Sequence, residues 1–366
     1  MHERDLSNQP RSLLLRPENT EEAQNKGLAR RFKQVKSKER RNISEGWEVS
    51  CFVVRAMFFV AESSMLVAVL RAMRPHQWVK NFFLYAPLLF SLRLFDIESL
   101  WRATFGVGLF CVLSGAIYIL NDLMDVEKDR LHPHKKHRPI ASGALPEASA
   151  RRLWPILGGL SLGLGWIVLG FWFFVVALLY GIFNIAYSLR LKHVAYLDVL
   201  LIANGFLLRL LAGASAINVV VSAWLVGCGF LLALYLALGK RRHELSTYGE
   251  SATQQRAVLE RYDVAQLDLL LGLVASLTVL AYCGYTLDPT TLKRFQTPYL
   301  IYAIPFVVFG IVRFLQLIER GAKTESPTQE LLRDIPFLLN LFLWVAVVIY
   351  ILYTQPGRDS LLLRGI

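Results

Sequence analysis

The chain of 366 residues carries 40 Lys and Arg against 28 Asp and Glu, a formal net charge of +12, and 54% of it is hydrophobic. A mean hydropathy of +0.41 exceeds what one water-soluble core needs, so lipid must serve as solvent. The basic residues lie between long apolar runs and do not line one polar domain, which excludes a nucleic-acid-binding face and leaves an anionic membrane surface and an anionic substrate as partners.

Residues 1–48 are polar, with a basic stretch from Arg30 to Arg41 and no apolar period, and are expected to form a disordered extension. Residues 49–73 are apolar but interrupted by Arg55, Glu62 and Arg71, leaving no uncharged run of the roughly 18 residues a spanning helix needs. They read as an interfacial helix, or as sequence upstream of a natural start at Met57, Met65 or Met73, which the mass of the natural protein decides. From 74 to 366 the pattern becomes regular. Nine spans are expected near 79–95, 103–121, 153–170, 171–189, 195–215, 219–238, 267–286, 298–317 and 335–353, giving an all-α polytopic membrane bundle of about nine transmembrane helices. Cys51, Cys111, Cys228 and Cys283 are scattered and indicate neither a zinc site nor a disulfide framework.

The loops after the second, fourth, sixth and eighth spans hold 18 Lys and Arg, whereas the opposite side holds only Arg93, Arg102, Lys293 and Arg294. This asymmetry places the first set and the N-terminus in the cytoplasm.

The sharpest chemical signal is Asn121-Asp122-x-x-Asp125-x-x-x-Asp129 at the cytoplasmic end of the second span. On a continuous helix the three aspartates leave within about 60° of one another and repel unless a cation lies between them. Hard carboxylate oxygens of this kind suit Mg²⁺, which bridges one or two carboxylates to substrate phosphates. The loop that follows offers Lys135 and Arg138 to phosphate oxygens, so acid cluster and basic loop together suggest a diphosphate. His132, His134 and His137 match no common zinc spacing and read as exposed loop residues.

Three further segments contribute polar groups. Tyr187, Lys192 and Asp198 lie at the mouth of the fourth and fifth spans. Within the fifth, Asn204 and Arg209 stand at membrane depth, where Arg209 must face the bundle as a ligand group or as an ion-pair partner. Lys240, Arg241 and Glu244 close the sixth span, and Arg74, Trp78, Lys80 and Asn81 precede or open the first.

These residues resemble a family. The Asn121-to-Asp129 motif and the nine-span plan are similar to the UbiA superfamily of intramembrane transferases, most members of which join a prenyl diphosphate to an acceptor and carry a second aspartate motif after span six. Here 240–267 contains Asp263 as its one aspartate. The Arg74-to-Asn81 start, the His132-to-Pro139 loop, the Tyr187-to-Asp198 segment and Gly239-to-Leu245 instead resemble the branch typified by decaprenyl-phosphate phosphoribosyltransferase, over roughly 66–353. That resemblance implies a Mg²⁺-dependent transfer of 5-phosphoribose from 5-phosphoribosyl-1-diphosphate to a polyprenyl phosphate, in the bacterial inner membrane with the active site cytoplasmic. The product would be a precursor of lipid-linked arabinose or ribose donors of the cell envelope.

It also implies roles. Asp122, Asp125 and Asp129 would hold Mg²⁺, Lys135 and Arg138 would meet the diphosphate, and Lys192 and Arg241 would meet the 5-phosphate or the lipid phosphate, with Tyr187 positioning. Arg74, Lys80, Asn81, Asn121, Asp198, Arg209 and Lys240 complete the expected substrate-binding set. The alternatives are a UbiA-type prenyltransferase acting on an aromatic acceptor, and a transporter, which would spread its ionisable groups along a path across the bilayer.

Overall fold

A computed structural model describes residues 65–248, 257–319 and 330–354. The chain divides into two units, Met1–Val67 and Ala68–Ile366, and the fold described below is that of the second. The expected extension at 1–48 and most of 49–73 lie outside the described residues, although Met65–Ala72 forms a helix, α1.

The described residues are helical without strands. A 3₁₀ segment, Pro75–Tyr85, runs into α2, Ala86–Phe90. Then follow α3, Ile97–Met124; α4, Val126–Leu131; α5, Glu147–Leu164, ending in a π turn at Gly165–Leu169; and α6, Phe171–Leu189. The second half comprises α7, Leu197–Ala216; α8, Ala223–Tyr248; α9, Val264–Leu287; α10, Pro289–Phe295; α11, Ile304–Glu319, entered through a 3₁₀ turn at Tyr299–Ala303; and α12, Ile335–Tyr353.

Eight of these stretches are long and apolar enough to cross a membrane, in close agreement with the last eight expected spans. The first span differs. Pro75 and Pro87 remove two backbone donors, and 75–90 takes a 3₁₀ path followed by one short α-helix. Among the described residues, eight helices are thus long and apolar enough to cross, and 75–90 is not one of them. The sixth span also differs. Nothing between Gly239 and Glu244 breaks the pattern, so α8 continues to Tyr248 and carries Lys240, Arg241 and Glu244 on helix where a loop was expected.

Four aspartates start helices: Asp96 caps α3, Asp263 α9, Asp288 α10 and Asp334 α12, each accepting a backbone N–H three residues on. One core packs Leu84 and Leu88 against Phe110, Phe173, Tyr180 and Leu208; another joins α8, α9 and α11 through Tyr235, Leu267, Leu271 and Phe314. Gly213 lets α7 lie directly on the 3₁₀ segment, since a Cβ there would stand 2.1 Å from the Leu84 carbonyl oxygen. Gly213→Ala should therefore force these elements apart at a cost of about 1–3 kcal/mol. A melting temperature in detergent equal to that of the parent protein would contradict this packing.

Candidate active site

The polar side chains gather at one end of the bundle, where α3, α6 and α8 finish and α7 and α9 begin. The motif aspartates do not share one uninterrupted helix. Helix α3 ends at Met124, the backbone bends at Asp125 (φ −101°, ψ 8°), and α4 resumes at Val126. The bend keeps Asp122 and Asp129 together and turns Asp125 toward the connection between α6 and α7.

Three cations answer the three carboxylates. Arg138 Nη1 donates to Asp122 Oδ1 at 3.2 Å and to Asp129 Oδ2 at 2.6 Å. Arg74 Nη2 donates to the same Asp122 oxygen, while Lys192 Nζ lies 3.2 Å from both oxygens of Asp125. Asp122 and Asp129 are buried, and Arg138 and Arg74 remain about a quarter exposed, so the cations form the solvent side of the cluster. Arg74 holds this position with a left-handed backbone (φ 54°, ψ 67°), a conformation that costs a non-glycine residue about 1 kcal/mol or more and that concentrates at functional sites.

Among the described residues no three His, Cys, Asp or Glu side chains form a ready-made metal cage. The donor chemistry nevertheless fits Mg²⁺. Asp122 Oδ2 and Asn121 Oδ1 are buried oxygens without a hydrogen-bond partner, an arrangement that is costly unless a ligand satisfies them. Mg²⁺ needs only one or two carboxylates when water and substrate phosphates fill the remaining positions.

One of the loop histidines is used by its own loop. His132 Nδ1 accepts the backbone N–H of His134 at 3.2 Å and of Lys135 at 3.3 Å, folding the loop that presents Lys135 and Arg138. Burial and the neighbouring Lys135 push its pKa below the ordinary 6.5, which keeps that nitrogen an acceptor near neutral pH.

A second cluster lies behind the first. Arg241 and Asp198 are fully buried and form an ion pair with 2.7 Å between Nε and Oδ2. Arg241 also donates to Glu244, and its Nη2 lies 3.4 Å from the Tyr187 hydroxyl. These contacts commit Arg241 to protein carboxylates, where the sequence suggests a phosphate ligand. Tyr262, which the sequence does not single out, donates its hydroxyl to Asp198 and accepts the Tyr196 N–H at 2.8 Å. Burial and that carboxylate push the Tyr262 phenol upward. No local pattern marks Tyr262, because its partner lies 64 residues away.

Deeper in the bundle, Arg209 donates to Asn81 Oδ1 at 2.8 Å, to the Gly205 carbonyl at 2.9 Å and to the Tyr180 hydroxyl at 2.7 Å. Its guanidinium also lies over the Tyr180 ring at 4.7 Å. Every hydrogen-bond partner is neutral, so among the described residues Arg209 is no ion-pair partner. Tyr180 is the residue that sequence reasoning misses here, and its signal is a hydroxyl in the middle of an apolar span.

Comparison with known proteins gives the family of the chain. Residues 82–329 match the UbiA prenyltransferase family. The chain belongs to that family. It is therefore a multi-pass membrane transferase of all-α UbiA fold. It is 30% identical to the decaprenyl-phosphate phosphoribosyltransferase of Corynebacterium glutamicum over 78% of this chain and 87% of that protein. The enzyme of the same name from Mycobacterium tuberculosis is likewise 30% identical, over 78% of this chain and 94% of that protein. A UbiA homologue from Archaeoglobus fulgidus bound to GPP and Mg²⁺ shares the fold, with a TM-score of 0.60 and 20% identity over 78% of this chain and 99% of that one.

Proposed function

We propose that this UbiA-family transferase moves 5-phosphoribose from 5-phosphoribosyl-1-diphosphate to a polyprenyl phosphate, and that Mg²⁺ is required. The observation that carries the reading is the fate of the acidic groups after α8. Asp263 is used as the cap of α9, and Asp268 pairs with Arg242 at 2.7 and 3.2 Å. Among the described residues this leaves one acidic centre suited to a metal–diphosphate, at Asp122 and Asp129, whereas the two-motif prenyltransferases would carry a second. The names of the corynebacterial and mycobacterial relatives support the same choice.

In this reaction a phosphate oxygen of the lipid forms a bond to the ribose anomeric carbon as the bond from that carbon to the diphosphate oxygen breaks. The lipid phosphate is ionised at neutral pH, so no strong general base is needed. Mg²⁺ would supply charge neutralisation for the departing pyrophosphate. Asp122 and Asp129, with Asn121 beside them, would hold the ion and orient the donor. Arg138 and Arg74 would exchange carboxylate contacts for phosphate oxygens as charge develops, with Lys135 on the same loop adding a further cation. Lys192 would keep Asp125 neutralised at the rim.

Residues 74–366 would form the catalytic domain in the bacterial inner membrane, with the acid cluster in the cytoplasm, an orientation that the Lys and Arg asymmetry supports. The likeness to a GPP-bound neighbour favours a second reading, prenyl transfer to an aromatic acceptor, but that reading leaves its second aspartate motif unfilled.

A charge-assisted contact to phosphate contributes about 1.5–3 kcal/mol, so Arg138→Ala should lower kcat/KM for phosphoribosyl diphosphate by roughly 10- to 150-fold. Lys135→Ala should act in the same direction. In calorimetry the parent protein should bind the donor with Mg²⁺ and lose it on chelation. A loss in Arg138→Ala confined to the KM for polyprenyl phosphate would exchange the two substrates.

A further inference from the structure

We propose that a cavity at the end of the bundle opposite the acid cluster seats the headgroup of a zwitterionic phospholipid, with Arg294 meeting its phosphate and Asp288 its ammonium. The proposal does not depend on which substrates the acid cluster serves.

The cavity measures about 350 Å³ and lies where α7 has ended at Ala216, α8 begins at Ala223 and α9 gives way to α10. The acid cluster adjoins the other ends of α7, α8 and α9. The 20 residues of α7 set the two places about 30 Å apart along the helix, so the cavity takes no part in the transfer reaction. Its volume is that of a small-ligand site.

Two charges of opposite sign line this cavity, and among the described residues no ion pair joins them. Arg294 makes no hydrogen bond or ion pair to any described residue, and its guanidinium lies 5.8 Å from the centre of the Phe295 ring. Asp288 Oδ2 accepts the Thr291 N–H at 3.1 Å. Desolvation opposes the charge of Asp288, but the hydrogen bonds that it accepts hold its pKa below the ordinary 3.8, so it stands at the cavity as a carboxylate. Ser222 Oγ, also in the lining, accepts the Leu225 N–H at 3.2 Å, which leaves its own O–H as a further donor.

Phe90, Trp224 and Tyr285 supply an aromatic wall, and aromatic rings attract an ammonium. Gly284 makes the room for that wall, since a Cβ there would stand 2.7 Å from the Trp224 indole. Val219, Val220 and Val221 complete the lining, and Val220 is 89% exposed. An exposed run of valines at the end of membrane-crossing helices meets acyl chains, which favours an amphiphile over a water-soluble solute. One cation and one carboxylate cancel in net charge, so the cavity suits a dipole. A purely anionic headgroup would meet Asp288, and a diacylglycerol would leave both charges without a partner. A phosphodiester joined by two carbons to an ammonium answers both.

The test measures binding. Purified full-length protein in detergent is titrated with dioctanoyl phosphatidylethanolamine, dioctanoyl phosphatidylglycerol, dioctanoylglycerol and the chain-free headgroup glycerophosphoethanolamine, with bound ligand read by native mass spectrometry. The parent protein should bind the ethanolamine lipid roughly tenfold more tightly than each of the others. Arg294→Gln should weaken both phospholipids by roughly tenfold. Asp288→Asn, which keeps a cap for α10, should erase the preference for the ethanolamine lipid over the glycerol lipid. Both variants should retain the melting temperature of the parent protein and its transferase rate. Equal binding of the two phospholipids by the parent protein overturns the proposal, as does a preference undiminished in both variants. Binding of glycerophosphoethanolamine as tight as that of the intact lipid would assign the cavity to a soluble zwitterion and overturn it equally.

Discussion

Asp122→Asn should lower transfer by at least two orders of magnitude while the protein still inserts and folds. Asp122 is 2% exposed, its Oδ1 is shared by Arg74 and Arg138, and its Oδ2 is the buried oxygen without a partner. An amide there keeps the volume but removes the negative charge that a hard cation needs, and such preorganised electrostatic groups are each worth about 10²–10³ in rate. Folding should suffer less, because Arg138 retains Asp129 and both arginines reach water. Steady-state kinetics and a melting curve on the same preparation check both halves. Asp125→Asn should cost less, since Asp125 is about one-third exposed and already engaged by Lys192. Normal turnover of Asp122→Asn with Mg²⁺ would remove the acid cluster from the mechanism.

Arg241→Ala is expected to act through folding. It leaves Asp198, which is 0% exposed, without its ion-pair partner and with the Tyr262 hydroxyl still donating to it, and it takes a cation from the Glu244 carboxylate nearby. Removing one member of a buried ion pair costs about 3–5 kcal/mol, because the other charge stays buried without compensation. The melting temperature in detergent should fall on the order of 10 °C. Arg241→Lys keeps the charge but loses the planar fork and should fall between the two. A melting temperature unaffected by Arg241→Ala, with the loss appearing only as a raised KM for either substrate, would return Arg241 to the role of a phosphate ligand.

The fold was legible in the sequence wherever lipid fixes the pattern. A span must present some twenty apolar residues, so α6 and α12 were readable to within a residue at both ends. The 75–90 segment was not readable as 3₁₀, because only Pro75 and Pro87 hint at the irregular backbone. In the site, the type of residue was visible and the pairing was not. Spacing placed Asp122, Asp125 and Asp129 on one helical face, and the bend at Asp125 divided them. Arg209 announced itself by its cost at membrane depth, while Tyr180 and Asn81, which hold it, lie 29 and 128 residues away. Arg241 looks the same in sequence whether it meets a phosphate or Asp198, and only packing distinguishes the two.

The central claim is the identity of the two substrates. Membranes containing the full chain should be offered labelled 5-phosphoribosyl-1-diphosphate with a polyprenyl phosphate and Mg²⁺, and in parallel a prenyl diphosphate with aromatic acceptors. Label should pass into the lipid fraction in the first mixture, and the second should give no product. Turnover confined to the second mixture would contradict the account.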